Sequence, residues 1–209
     1  MTSVLASLSA YLAAATLLTL TPGLDTALVL RMATTGSARR AALAGLGIAT
    51  GCFVWALLVA LGLGALLAAS RMAYTALRWV GAAYLFWVGF RMLRHPRRAF
   101  LAPAPGGKDH RTAFVTGLLT NLLNPKVGIF YVSFLPQFVP HGVAVGPYIL
   151  LLGVIHVLLG LIWFLCLILA TQPIAIFLRR PAIVQGCDRL TGMVFVAFGV
   201  ALALESRRH

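Results

Sequence analysis

The chain has 209 residues; 61% are hydrophobic and 10% are charged, with 17 Lys and Arg against 4 Asp and Glu. A water-soluble domain carries about half apolar and about a quarter charged residues, so this composition excludes a soluble fold and predicts a membrane protein. The formal net charge of +13 would indicate a nucleic-acid partner in a soluble protein, but in a membrane protein basic residues mark cytoplasmic loops and contact anionic membrane lipids.

Six apolar segments predict an all-α, polytopic membrane protein. A transmembrane helix needs about 20 apolar residues, and these runs are too long for barrel strands, which alternate over about ten residues. Charged residues, Gly and Pro delimit the segments, which are Val4 to Leu30, Ala41 to Ala69, Met72 to Leu93, Thr112 to Val139, Tyr148 to Thr171, and Ala182 to Leu204. Because Arg31 is the first basic residue, we expect the first segment to be a span rather than a cleaved signal peptide.

The distribution of Lys and Arg predicts the orientation of these spans. The first connection holds three basic residues between positions 31 and 40, the third holds six between 91 and 111, and the fifth holds two at 179 and 180. The second connection holds only Arg71, and the fourth holds none. Since basic loops stay in the cytoplasm, both termini are predicted to be periplasmic. Arg207 and Arg208, near the C-terminus, argue more weakly for the opposite orientation.

The hydrophilic stretch 94–111 divides one transmembrane domain, residues 1–209, into the halves 1–93 and 112–209. Each half holds three spans, and because three is odd the second half enters the membrane in the opposite sense, as in an inverted repeat. We predict that residues 94–111 form a cytoplasmic linker. The linker is too short for a nucleotide-binding domain, and the chain has no GxxxxGK[ST] motif, so transport powered by ATP within this chain is excluded.

The first span of each half contains a proline in a polar setting, Thr21-Pro22-Gly23 in one and Asn124-Pro125 in the other. Thr and Asn are good N-cap residues, and proline fits the first helical position that follows. Each motif would start a half-helix whose free N–H groups lie inside the membrane. A matched pair of such interruptions points to the binding site of a transporter. We therefore expect helices 1 and 4 to be broken; the alternative is an ordinary proline kink.

Two ionisable residues, Asp25 and Lys126, lie beside these breaks. A charge inside a span costs about 2.5–3.5 kcal/mol and is by default a functional candidate that faces a cavity. At 1.5 Å per residue from Arg31 and Arg111, straight helices place Asp25 about 9 Å and Lys126 about 22 Å from the cytoplasmic boundary. A direct ion pair is therefore not expected unless the helices unwind or tilt. The alternatives are a capping carboxylate for Asp25 and, for Lys126, an amine that reaches the outer headgroups.

Other polar and small residues are predicted to serve packing. His156 has a side chain able to relay a proton, but a lone His without a carboxylate or Cys nearby in sequence is more often a packing residue. Gly47 and Gly51 have GxxxG spacing and Gly81 and Gly89 share one helix face, so we expect these glycines to let helices approach closely. The three cysteines are far apart and form no CxxC motif, so no metal site and no cofactor is predicted.

The sequence resembles the LysE/RhtB family of amino-acid exporters along nearly its whole length. The matching motifs are Thr21, Pro22, Gly23 and Asp25, the stretch Gly36 to Gly51, "LRWVGAAYLFWVGFRMLR" at Leu77 to Arg94, "FVTGLLTNLLNPKVGIFYVSFLPQFV" at Phe114 to Val139, and Arg189, Gly192 and Gly199. The family usually has a second proline where this chain has Leu24. The resemblance implies a bacterial inner-membrane exporter that is driven by the proton gradient, with a homodimer left open.

The residues and the resemblance together predict efflux of a small amino acid or close derivative by alternating access. The α-carboxylate of the substrate would lie at the half-helix N-terminus that begins at Pro125, near Lys126 and the amides of Asn121 and Asn124. Asp25 would contact the α-amino group or carry the coupling proton. Asp188 is expected at the cytoplasmic rim, and no second buried acid is visible to pair with a cationic side chain, which favours neutral amino acids over lysine and arginine.

Other classes of function stay open on the residues alone. An ion or small-solute channel shares the composition, but few polar residues recur at helical spacing outside the two motifs. A metal exporter would need His, Cys or acidic ligands within the spans, and these are scarce. An enzyme is not predicted, because the chain has neither paired cysteines nor a Glu or His cluster.

Overall fold

The computed structural model describes residues 4–21, 23–35, 37–69, 71–96, 110–170 and 180–205. These residues are almost entirely helical and contain no β-strand, which confirms the all-α prediction. The α-helices are α1 (Val4–Leu20), α2 (Leu24–Thr35), α3 (Ala38–Ala69), α4 (Arg71–Arg94), α5 (His110–Leu122), α6 (Pro125–Ile129), α7 (Val145–Leu169) and α8 (Pro181–Glu205). After α6 the chain continues as a π-helical segment, Phe130–Phe134, and a 3₁₀-helix, Leu135–Phe138.

Two of the described helices are long and apolar enough to cross a membrane alone, Ala38–Gly62 within α3 and the whole of α7. Two bent pairs meet the same requirement when each pair is taken as one span. Val4–Leu20 and Leu24–Thr34 meet at 49°, and Arg111–Leu122 and Lys126–Phe138 meet at 58°. The described residues thus contain two to four candidate spans, and the first and fourth predicted spans are both bent at the expected positions. The count of six spans stays a prediction.

Helix α3 packs against α5 and α7, and glycines allow the closest of these contacts. A Cβ atom on Gly47 would overlap the carbonyl oxygen of Phe114, and one on Gly117 would overlap that of Ala44. The α3 and α5 backbones are therefore in direct contact, as small residues permit in membrane helices. A close approach was predicted for Gly47, and Gly117 is its counterpart on α5.

Close contacts between glycines also join α4 to α8. A Cβ on Gly89 would lie 2.6 Å from the carbonyl oxygen of Gly192, and a Cβ on Gly192 would lie 2.7 Å from that of Gly89. Helix α4 thus packs on α8 as α3 packs on α7, so each helix lies beside its counterpart in the other half. The division into two inverted halves and the cytoplasmic linker, most of which lies outside the described residues, stay a prediction.

An aromatic core holds the segment after α6 against α1 and α7. Tyr11, Phe130, Tyr131 and Phe134 are buried almost completely. The Tyr11 hydroxyl donates to the carbonyl of Leu152 over 2.8 Å, which ties α1 to α7. Ser7, one turn earlier, donates to the carbonyl of Phe138. These contacts fix the two bent spans on α7.

Gly117→Ala tests the close packing of α3 on α5. The added methyl group would overlap a backbone oxygen rather than a flexible side chain, so we expect the free energy of unfolding to fall by about 1–3 kcal/mol. The melting midpoint of the purified protein in detergent measures this loss. Gly62→Ala is the control, since no atom lies within 4 Å of its Cβ position. Equal melting midpoints for Gly117→Ala and the wild type would contradict the contact.

Candidate functional site

The first break separates α1 from α2 at Thr21 to Gly23. The Thr21 hydroxyl donates back to the carbonyl of Leu17 over 2.7 Å, so it bonds to the end of α1. The carbonyl of Gly23 accepts the first hydrogen bond of α2, from the backbone N–H of Ala27, which places the N-cap at Gly23. The prediction of an N-cap at Thr21 is therefore wrong by two residues. Pro22, predicted at the first helical position, lies outside the described residues.

The second break has the predicted capping geometry. Asn124 has the extended backbone of an N-cap residue, and its side-chain oxygen accepts a hydrogen bond from the backbone N–H of Lys126 over 3.1 Å. Pro125 occupies the first turn of α6, where its missing N–H costs nothing. The side-chain oxygen of Asn124 is thus used within the protein, and so is one of the N–H groups at the start of α6.

Asp25, in the first turn of α2, is bound by side chains from both sides of the second break. The side-chain amide of Asn121 donates to Asp25 Oδ2 over 2.8 Å, and that of Asn124 donates to Oδ1 over 3.4 Å. Asn121 also donates to the Cys52 sulfur on α3 over 3.2 Å. Gly51 makes room for this amide, because a Cβ there would lie 2.6 Å from Asn121 Oδ1. The two amides predicted to bind a substrate carboxylate therefore bind the carboxylate of Asp25.

Lys126 reaches the first break from the second. Its ammonium nitrogen lies 3.4 Å from the carbonyl oxygen of Thr21 and would lie 3.7 Å from a Cβ built on Gly23. The straight helices assumed for the expected separation in depth are not found, because the two spans bend by 49° and 58°, and the lysine side chain reaches the first break. Asp25 and Lys126 line the same cavity.

This cavity holds about 600 Å³ of space between atoms, a volume that includes its open mouth. Its polar lining comes mainly from the two breaks and comprises Thr19, Thr21, Asp25, Thr26, Asn124, Lys126 and His156. Its apolar lining comes mainly from α3 and α7 and includes Ile48, Ala49, Val127, Val157, Trp163 and Phe164. Asn121 is fully buried behind Asp25 and does not belong to the lining. Charged, polar and apolar side chains therefore line one cavity.

Helix α7 contributes residues that the sequence did not single out for the site. His156 is buried, and its Nδ1 atom is hydrogen-bonded to the Tyr131 hydroxyl over 2.9 Å. The Trp163 indole N–H donates to the Thr26 hydroxyl over 3.4 Å, beside Asp25. One feature of the sequence could have identified these residues. The spacing of His156, Gly160 and Trp163 puts all three on one face of α7. Within the described ranges, no three His, Cys, Asp or Glu residues are grouped to hold a metal ion.

Comparisons with known proteins agree with the predicted resemblance. A family model described as LysE type translocator matches residues 16–206. The homoserine/homoserine lactone efflux protein of Salmonella typhi is 31% identical, with 96% of each chain covered. The threonine efflux protein of Escherichia coli K12 is 32% identical over 89% of this chain and 92% of its own. The leucine efflux protein of Enterobacter sp. 638 is 29% identical over 92% of this chain and 93% of its own. No solved structure matches. The chain therefore belongs to the LysE type translocator family.

Proposed function

We propose that this protein is a secondary carrier that exports small neutral amino acids, or close derivatives, across the bacterial inner membrane. The observation that carries the proposal is the pair of opposite charges, Asp25 and Lys126, which reach one cavity from two broken spans. The names of relatives that span nearly the whole chain, efflux proteins for homoserine, threonine and leucine, support this substrate class and direction.

The charges of the cavity complement an amino-acid zwitterion. The Lys126 ammonium attracts the α-carboxylate of the substrate, and the Asp25 carboxylate attracts its α-ammonium group. This assigns the substrate carboxylate to a side chain rather than to the N–H groups of α6, one of which is already bound by Asn124. No acidic residue besides Asp25 lines the cavity in the described part of the chain, so nothing there pairs with a cationic side chain, and neutral amino acids fit best.

Asp25 also provides a route to proton coupling. Its carboxylate accepts hydrogen bonds from Asn121 and Asn124, which flank the break in the opposite half. A proton and a substrate ammonium group compete for the same carboxylate, and each alters the contact between the two breaks. Mutually exclusive occupancy of one site is the requirement for antiport, so inward proton flow drives outward amino-acid flow.

The carrier has six spans in two inverted halves, and both termini face the periplasm. The bent pairs α1–α2 and α5–α6 form the first span of each half, with α3 and α7 as the second and α4 and α8 as the third. The excess of Arg and Lys in the odd connections supports this orientation. A cavity with a largely apolar wall favours a carrier over a channel, which needs a continuous polar path.

Asp25→Asn tests the coupling role. Asn is nearly isosteric but binds no proton at physiological pH, so we expect proton-driven export from inverted vesicles to fall by about tenfold or more, the effect of about 1.4 kcal/mol. Counterflow exchange, which needs no net proton movement, separates loss of coupling from loss of binding. Asp188→Asn is the matched control, because this carboxyl group is buried in α8 and does not line the cavity. Unimpaired proton-driven export by Asp25→Asn would refute the coupling role.

Lys126→Met tests the carboxylate site. The variant keeps much of the side-chain length without the charge, and a hydrogen bond to a charged group contributes about 1.5–3 kcal/mol. We therefore expect the apparent KM for substrate to rise about 10- to 100-fold. Lys126→Arg, which retains the charge, should recover part of the affinity. An unchanged KM in Lys126→Met would remove Lys126 from the binding site.

Reporter fusions test the orientation. A C-terminal alkaline phosphatase, which is active only in the periplasm, should be active, whereas a green fluorescent protein fused there should not fluoresce. Fusions within residues 94–111 should give the opposite pattern, because this linker is proposed to be cytoplasmic. A fluorescent C-terminal fusion would mean an odd number of spans or a cytoplasmic N-terminus.

A further inference from the structure

Gly160 stands out on the cavity wall formed by α7. The residues that α7 contributes to this wall are His156, Val157, Gly160, Trp163 and Phe164, and Gly160 interrupts a row of larger side chains. A Cβ atom built on Gly160 would have no atom within 4 Å. The glycine is therefore not required for contact with another described helix, although glycine is less favourable than alanine within a helix.

Gly153 on the same helix shows the contrast. A Cβ there would overlap the side chain of Ala56 on α3, so Gly153 is required by the packing of α3 on α7. Gly160 follows seven residues later, about two turns along the same face of α7. Its open space lies in the cavity instead of at a helix contact. The space that a side chain would fill at position 160 is thus available to a ligand.

The unfilled space beside Gly160 forms a notch in the cavity wall. The apolar residues around this notch indicate which part of a ligand enters it. The charged groups of the cavity, Asp25 and Lys126, belong to α2 and α6, whereas Ile48 and Ala49 on α3 and Phe164 on α7 form apolar wall. A zwitterion held by the two charges directs its side chain towards α3 and α7, because its own charged groups are retained at the breaks. The side chain of the substrate then lies against α7.

We propose that Gly160 determines the largest substrate side chain that the carrier accepts, by leaving a notch for aliphatic or hydroxylated side chains larger than a methyl group. The proposal rests on the proposed function and deepens it by naming a specificity-determining residue. Larger residues at position 160 fill the notch stepwise. They lower the upper size limit of the substrate and leave the groups that bind the zwitterion unchanged.

The test is a series, Gly160→Ala, Gly160→Val and Gly160→Leu, assayed with alanine, homoserine, threonine and leucine. Export from preloaded inverted vesicles gives, for each variant, the rate ratio between the largest and smallest amino acid that the wild type exports. One methylene group in an apolar pocket changes selectivity by about tenfold or more. We expect the ratio to fall by about that factor per step of the series, with export of the smallest substrate nearly unchanged.

Gly62→Leu and Gly186→Leu are the matched controls. Their Cβ positions also have no atom within 4 Å, but neither glycine lines the cavity, so both variants should keep the wild-type ratio. If Gly160→Leu does not fold, Gly160→Ala still carries the test, since its one added carbon meets no atom within 4 Å.

The outcomes separate this proposal from the function on which it rests. A wild-type carrier that exports none of the four amino acids would overturn both. If the wild type exports these amino acids while all rates of the Gly160 variants fall equally, the rate ratio stays constant. That result would overturn only the role of Gly160. A ratio that falls stepwise with the size of residue 160, but not in the controls, supports both.

Discussion

The hydrogen bonds from Asn121 and Asn124 to Asp25 connect the two breaks on which the cavity depends. A carboxylate within a membrane span is costly unless it is hydrogen-bonded or faces a cavity, and these amides supply donors from the opposite half of the chain. Asn124 has two roles, because its oxygen caps α6 while its amide nitrogen binds Asp25. One residue therefore stabilises the second break and positions the carboxylate of the first.

The packing around this connection restricts where the protein can change shape. Direct backbone contacts hold α3 to α5 at Gly47 and Gly117, and Gly153 on α7 packs against the Ala56 side chain on α3. Tightly packed contacts of this kind do not deform gradually. At the breaks, by contrast, the backbone leaves the regular helical hydrogen-bonding pattern. The breaks thus hold the charges of the cavity at the points where the regular helices of the bent spans are interrupted.

The breaks were predictable because they depend on neighbouring residues in the sequence. Contacts between distant segments were not predictable in this way. Capping at Asn124 followed from its own side chain and the next residue, and the structure has it as predicted. The cap predicted at Thr21 was wrong because α2 begins at Leu24 and not at Pro22, and the Thr21 hydroxyl donates to the Leu17 carbonyl at the end of α1. The proximity of Lys126 to the first break was missed because depth was counted along straight helices. His156 is buried and hydrogen-bonded to Tyr131, as expected of a packing residue, but its place in the cavity lining depends on contacts between distant segments and could not be predicted.

The spacing of glycines is a second feature whose role could not be predicted from the sequence alone, and one of these glycines concerns the proposed substrate specificity. Gly153 and Gly160 are seven residues apart on one helix face, so the pattern in the sequence predicts the same packing role for both. The structure separates them, because a Cβ at Gly153 overlaps Ala56 whereas one at Gly160 meets no atom within 4 Å. A glycine that no contact with another described helix requires leaves space on the cavity wall. In the proposed site, Asp25 and Lys126 on α2 and α6 bind the charged groups of the substrate and Gly160 on α7 limits the size of its side chain, so a change at Gly160 alters the size limit and leaves the charged groups in place.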